Sequence, residues 1–218
     1  MTCIRYRSGD VIDEVAIFPL PQVVLFPGAI MPLHIFEPRY RTMTRDVLAT
    51  TRQLTIALIP EDHAKDRYGQ PQIATVAGIG EIVRCDALPD GRFNLLVEGR
   101  ARARVEELPY KRPYRRARLT VLDASSGCAD PALVRALVST ATCVAGAVRK
   151  CHPSFRFCLP QTDDPGILAD ACSHYLVLEG AERQKLLETL DICERVQRCL
   201  DVLLAQQAMF SEGSDTFH

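Results

Sequence analysis

Cys85-Asp86-Ala87-Leu88-Pro89-Asp90-Gly91-Arg92-Phe93-Asn94-Leu95-Leu96-Val97 is the stretch on which the fold turns. Pro89-Asp90-Gly91 lies between two extended-looking flanks, Cys85–Leu88 and Phe93–Val97. Glycine takes positive φ without steric cost, so the flanks read as neighbouring strands of a hairpin. Working outward, Ile73–Cys85, Phe93–Glu98, Ala101–Glu107 and Arg115–Leu122 are rich in Val, Ile and Leu at strand-like lengths, and so are Val15–Phe18, Ile30–Ile35 and Leu54–Ile59 upstream. That many short strands, punctuated by Pro and Gly, predict a closed or nearly closed barrel. One helix interrupts them. Pro38 follows Glu37 at a first helical position, and Tyr40, Met43, Val47 and Leu48 recur at helical spacing, which places this helix as a plug at one end of the barrel.

Beyond Ser125-Ser126-Gly127 the pattern changes from strands to helices. Asp130-Pro131 has the form of an N-cap followed by proline at the first helical position, and Leu133, Leu137, Ala141, Val144 and Val148 make one apolar stripe to about Lys150. Asp164-Pro165 repeats the start signal before Ile167–Val177, and Gly180 separates the middle segments. Asp191 with Glu194 three residues on opens a last helix, with Ile192, Val196, Leu200, Leu203 and Leu204 facing inward. The reading is therefore α+β: a β-rich unit over 1–124 with one inserted helix, a helical bundle over 125–210, and a flexible tail over 211–218.

The 218 residues carry a formal net charge of −1, with 47% apolar and 24% charged residues. This is the balance of an ordinary globular protein, with no global attraction to nucleic acid or anionic lipid. The opening residues lack the apolar run of a signal peptide, and every long apolar segment is broken by Arg, Asp or Glu short of the roughly 20 residues that span a bilayer. A cytoplasmic protein without a membrane partner is expected. Nine cysteines, at positions 3, 85, 128, 143, 151, 158, 172, 193 and 199, are an odd count in a chain large enough to fold without staples. Reduced thiols, mostly buried, are predicted.

Two blocks carry a family resemblance. The first is Phe18-Pro19-Leu20-Pro21-Gln22-Val23-Val24-Leu25-Phe26-Pro27-Gly28, continued by Met31-Pro32-Leu33-His34-Ile35-Phe36. The second is Val76-Ala77-Gly78-Ile79-Gly80-Glu81-Ile82, then Leu88-Pro89-Asp90-Gly91 and Leu96-Val97-Glu98-Gly99-Arg100-Ala101-Arg102-Ala103-Arg104-Val105. In order and spacing these resemble the N-terminal, substrate-binding domain of Lon proteases, and Leu187–Arg195 is more weakly similar to the same family. The resemblance implies a PUA-like β-barrel lobe joined to a bundle of helices, and a role in recognising protein substrates. It also implies a non-catalytic, stand-alone form of that domain. No glycine here is followed by lysine, so the phosphate-binding P-loop of an ATPase is absent, and nothing matches the surroundings of a serine-lysine peptidase. No cofactor is implied. The expected partners are polypeptide substrates or a protein partner, a separate Lon-type protease among them.

Phe26, Pro27, Gly28, Leu33 and Phe36 are the candidate peptide-binding residues, because proline and glycine leave backbone exposed beside apolar side chains at a strand edge. The groove where barrel and helices meet is expected to contribute. Arg100, Arg102 and Arg104 alternate with Ala101, Ala103 and Val105, so three guanidinium groups should line one face of a strand, followed by Lys111, Arg112, Arg115, Arg116 and Arg118. Such a stripe suits RNA phosphates. The plainer reading is a solvated face balanced by Glu98, Glu106 and Glu107, with only Tyr110 and Tyr114 nearby to stack on bases. Cys143, Cys151, His152 and Cys158 lack the Cys-x2-Cys pairing of common zinc sites, and no metal is expected. His34, His63, His152 and His174 have no nucleophile pattern around them, which argues against a hydrolase. Glu61-Asp62-His63 reads as part of an ordinary polar loop.

Overall fold

The structure is a computed structural model, and it describes residues 6–62, 64, 65, 69–110, 113–124 and 129–214. Cys3, His63, Lys111, Arg112, Ser125-Ser126-Gly127, Cys128 and residues 215–218 lie outside the described residues. The chain divides into two compact units, Met1–Asp123 and Ala124–His218.

The first unit contains β1 (Val11–Pro21), β2 (Ile30–Ile35), α1 (Pro38–Leu48), β3 (Gln53–Ile59), β4 (Val76–Ala87), β5 (Phe93–Glu107) and β6 (Arg115–Leu122). The strand order is β2-β5-β4-β3-β1-β6, and β6 returns to pair with β5, so five strands close a ring and β2 hangs outside it on β5. Antiparallel ladders dominate; β1 and β3 run parallel from Ala16↔Leu54 to Pro21↔Ile59. The β4–β5 turn is as the sequence predicts. The Gly91 amide donates to the Leu88 carbonyl at 2.9 Å, Gly91 has φ +80°, and the Leu88 amide returns to the Arg92 carbonyl at 2.8 Å. This is a tight turn closed by a residue in the left-handed region.

Every strand of the ring sends side chains inward: Val15 and Ile17, Ala57, Ala77 and Ile79, Ala101 and Ala103, Ala117 and Leu119. The alanines reflect the narrow bore of a five-stranded ring, which has little room for larger side chains. Phe93–Glu98 and Ala101–Glu107, read from sequence as separate strands, are one strand. Its register shifts from Ile79↔Ala101 to Gly80↔Gly99, so Arg100 is the extra residue of a bulge. That kink divides the work of β5. Its first half pairs with β2 and its second half with β6.

The opposite face of β4 and β5 is also covered. A Cβ placed on Gly78 would collide with the Leu25 carbonyl, and one on Gly99 with the Phe26 carbonyl. The segment carrying Leu25 and Phe26, both fully buried, therefore crosses directly over the sheet where glycine leaves space for it. Helix α1 packs Tyr40 edge-on against Phe18, ring centres 4.5 Å apart. Phe18 alternates with the inward-facing Ile17, so the helix lies on the outside of β1 rather than across the barrel's end.

The second unit comprises α2 (Pro131–Cys151), α3 (Pro165–Tyr175), α4 (Gly180–Glu188) and α5 (Ile192–Ser214). Asp130 accepts from the Ala132 amide at 2.8 Å, Asp164 from Gly166 at 2.8 Å and Asp191 from Glu194 at 2.9 Å, so three helix starts follow the predicted capping chemistry. Gly180 opens α4 instead of merely separating its neighbours, and α5 continues to Ser214, into the segment read as a tail. Leu137, Ala141 and Val144 are buried as expected on α2, and Val196, Leu200 and Leu203 on α5. Leu204, at 48% exposure, is turned outward. The interior also accepts Arg195, whose Nε lies 3.0 Å from Asp170 Oδ1 and whose Nη1 donates to the Thr189 carbonyl at 2.6 Å.

Two further expectations need correction. Helix α2 is long and apolar enough to cross a membrane, because its 21 residues carry charge only at Arg135 and at the terminal Arg149 and Lys150. Leu137, Ala141 and Val144 within it are buried, and α2 packs along α5. The thiols are also less buried than predicted. Among the described cysteines, Cys172 and Cys199 are buried, Cys85 and Cys193 are intermediate, and Cys143, Cys151 and Cys158 are exposed.

Candidate polypeptide-binding site

The five apolar candidates fall into two groups. Phe26 is fully buried, and Pro27 is half-buried. Gly28 is exposed with φ +76°, but its amide donates to the Gly99 carbonyl at 2.8 Å. The Phe26-Pro27-Gly28 turn is thus stapled to β5 and does not present free backbone. A strand-edge reading missed this because the glycine that receives the turn lies about seventy residues downstream.

Leu33 and Phe36 behave differently. Phe36 is 61% exposed, and both line one groove of about 320 Å³ with Phe18, Leu20, Pro21, Tyr40 and Ile59. The groove runs between the end of β1, the end of β2 and the start of α1. It is mainly apolar, with Glu37 and Arg39 at its margin, ion-paired at 3.0 Å. The Arg39 guanidinium stands 4.5 Å from the centre of the Tyr40 ring. Burial pushes the Tyr40 phenol above its ordinary value against the opposing pull of Arg39, so it stays neutral at physiological pH. Sequence reasoning missed Leu20, Pro21, Tyr40 and Ile59. The repeated apolar-proline pairs at Phe18–Pro21 were the available signal.

His34 lines the same groove, its ring stacked on Phe36 with ring centres 6.2 Å apart. Its Nδ1 is 2.7 Å from Asn94 Oδ1 and its Nε2 3.3 Å from an Arg92 nitrogen, while Arg92 Nε donates to Asp90 at 2.6 Å. The Arg92 amide and guanidinium together hold the Asp90 carboxyl below the usual carboxylate range. A second groove of about 410 Å³ opens there, lined by Pro32, Leu33, Arg84 and Asp86 among others. The end of β2 therefore stands between two depressions.

The basic stripe does not form one exposed row. Arg100 is held between Glu81 at 2.8 Å and Glu98 at 2.6 Å. Arg102 is 4% exposed, its guanidinium 5.8 Å from the centre of the Phe26 ring, and only Arg104 of the three is open to solvent. Arg115 pairs with Glu107, Arg116 with Glu14 at 2.8 Å, and Arg118 with Asp13 at 2.6 Å. Alternation puts Arg102 and Arg104 on one side of β5, the bulge sets Arg100 apart, and Phe26 lies against Arg102 alone of the three. No cluster of three or more His, Cys, Asp or Glu suited to a metal occurs among the described residues. The helical unit has its own cleft of about 880 Å³, walled by Val134, Val138, Leu159, Pro160 and Leu168, with Arg135 and Asp163 among its polar lining.

Comparison with known proteins agrees with this architecture. The chain belongs to the ATP-dependent protease La (LON) substrate-binding domain family, whose model matches residues 14–205. It is 29% identical over 200 residues to a Lon protease of Heliobacterium modesticaldum, covering 90% of this chain and 24% of that protein. It is 28% identical over 202 residues to a Lon protease of Brucella suis, covering 92% and 25%. The chain thus spans about a quarter of the length of these relatives. In fold it is similar to the Lon N-terminal domain protein from Xanthomonas campestris, with a TM-score of 0.64 at 23% identity, covering 87% of this chain and 98% of that one. It is likewise similar to the N-terminal domain of Mycobacterium avium complex Lon protease, with a TM-score of 0.60 at 18% identity, covering 87% and 97%. The α+β fold, a mixed six-stranded sheet with five helices, is that of these domains.

Proposed function

We propose that the chain is a recognition module that captures polypeptide through the groove lined by Leu33 and Phe36, and that it contributes binding rather than catalysis. The observation that carries this reading is Phe36, a large aromatic side chain 61% exposed at the mouth of an apolar groove, in a chain of a substrate-binding family. Leaving such a ring in water forgoes the stabilisation of burying it, and aromatic anchors supply much of the energy of many interfaces. The partner is an exposed segment of a polypeptide substrate or of a companion protein, a Lon-type protease among them, in the cytoplasm. The RNA reading loses support because Arg100, Arg115, Arg116 and Arg118 are occupied by carboxylates and Arg102 is buried.

The test is a titration of the chain with a fluorescent, unfolded apolar peptide, repeated with Phe36→Ala and Arg104→Ala. Weakened binding in Phe36→Ala with an unchanged melt supports the reading. Loss confined to Arg104→Ala moves the site to the basic face.

A further inference from the structure

The barrel is closed along only part of its height. β2 and β6 pair with the same edge of β5, β2 along Phe93–Glu98 and β6 along Arg102–Glu107. β6 bridges onward to β1 through Val11–Ile17, but β2 has no second strand partner among the described residues, and β1 beyond Ile17 pairs only with β3. Phe18–Pro21, Leu33, His34 and Phe36 line the same groove, so the end of β1 and β2, each with an edge that pairs with no strand among the described residues, border one seam.

The chemistry of its walls is set by proline. A prolyl nitrogen cannot donate, so within a sheet it turns away from the paired neighbour. Pro19 and Pro21 lie in register with Ala57 and Ile59 of β3, and Pro32 with Leu96 of β5. The Pro19 and Pro21 carbonyls therefore turn away from β3 and the Pro32 carbonyl away from β5, to edges that border the seam, as does the backbone of His34, two residues on from Pro32. The walls are rich in acceptors and poor in donors, so they cannot zip to each other. This partial negative charge is complementary to the amide N–H groups of an extended chain, and the groove beside it is apolar.

We propose that the seam takes one extended stretch of polypeptide as an added strand, its amides bonded to the Pro32 and His34 backbone and to the carbonyls at the end of β1, with alternate side chains in the Leu33–Phe36 groove. This rests on the polypeptide-binding reading and adds to it a class of ligand: extended, non-prolyl, with apolar residues at every second position.

The full chain is titrated with fluorescein-labelled Lys-Val-Thr-Phe-Thr-Leu-Thr-Val-Lys-amide, and with its analogue in which esters replace the alternate amides of one edge. The ester keeps the shape and side chains but removes donors. The expected result is binding of the amide peptide, at least about tenfold weaker binding of the ester analogue, and slowed amide hydrogen exchange at His34 on binding. Equal affinity of the two with unchanged exchange at His34 overturns strand addition and leaves groove binding standing. Absence of binding by either overturns both readings.

Discussion

Gly28 and Gly99 are locked to each other: the Gly28 amide donates to the Gly99 carbonyl at 2.8 Å, and the Gly99 amide donates to the neighbouring Ala29 carbonyl at 2.8 Å. This staple joins the two sequence blocks that carry the family resemblance, and it sits beside the Arg100 bulge. Gly99→Ala would drive a methyl group into the Phe26 backbone, which is not a flexible neighbour. Overpacking of this kind costs roughly 1–3 kcal/mol. Urea denaturation should show that loss in Gly99→Ala, whereas Gly146→Ala, where a Cβ meets open space, should not be destabilised.

Phe36 and Leu33 offer a separation of stability from binding. An exposed substitution away from special features shifts stability by about 0.5 kcal/mol at most, so Phe36→Ala should melt like the parent. Its affinity for an unfolded apolar peptide should fall by about fivefold or more, the equivalent of losing an anchor worth over 1 kcal/mol. Leu33 is half-buried, and Leu33→Ala should lose some stability as well as affinity. Unchanged affinity in both variants would remove the groove from the binding surface.

Arg102 makes a poor probe of charge. It is 4% exposed and stacked toward Phe26, so Arg102→Ala removes packing as well as a cation. A marked drop in melting temperature is expected for it, and none for the exposed Arg104→Ala, as differential scanning calorimetry would read directly.

The Arg195–Asp170 pair is buried, at 1% and 7% side-chain exposure. Asp170→Ala leaves a buried guanidinium without its countercharge, which costs about 3–5 kcal/mol. Replacing both residues with apolar side chains should cost less than Asp170→Ala alone. Chemical denaturation followed by circular dichroism at the helical signal would test this, and a double variant as unstable as the single would argue that Arg195 acts through its bonds to Thr189 instead.

The thiols should titrate in classes. Cys143, Cys151 and Cys158 should react with a disulfide reagent in the native protein, and Cys172 and Cys199 only after unfolding. The hydrogen bond to Cys199, together with burial, raises the Cys172 thiol above its ordinary 9.0. The folded state then keeps a proton that the unfolded chain releases. This contribution to stability is intact below about pH 9 and declines as pH rises beyond it, so alkaline unfolding should begin earlier in the parent than in Cys172→Ala after allowance for the variant's lower baseline.

Local chemistry was legible from the sequence and distant cover was not. Gly91 announces its turn, and Asp130, Asp164 and Asp191 announce their helices, because each acts within three residues of itself. Phe26 looked like a surface anchor because its neighbours in sequence are Pro27 and Gly28. Its burial depends on Gly78 and Gly99, which are bare enough for a chain segment to lie upon. Arg102 looked solvated for the same reason, since alternation assigns a face but says nothing of what covers it. Arg195 escaped because an inward stripe was sought among apolar residues alone. Phe36 was legible as apolar and near prolines, but its partners Leu20, Tyr40 and Ile59 come from three different elements.

The ring has a consequence for the order of events at the ribosome. Val11 pairs with Thr120, so the first strand waits for more than a hundred further residues before its second neighbour exists. At roughly 5–20 residues per second this is an interval of several seconds or more. Throughout it the edge of β1 that β6 will cover lies open to the wrong partner. Pro19 and Pro21 interrupt its donors over that interval, and the residues that later shape a seam thus serve first as gatekeepers against premature pairing.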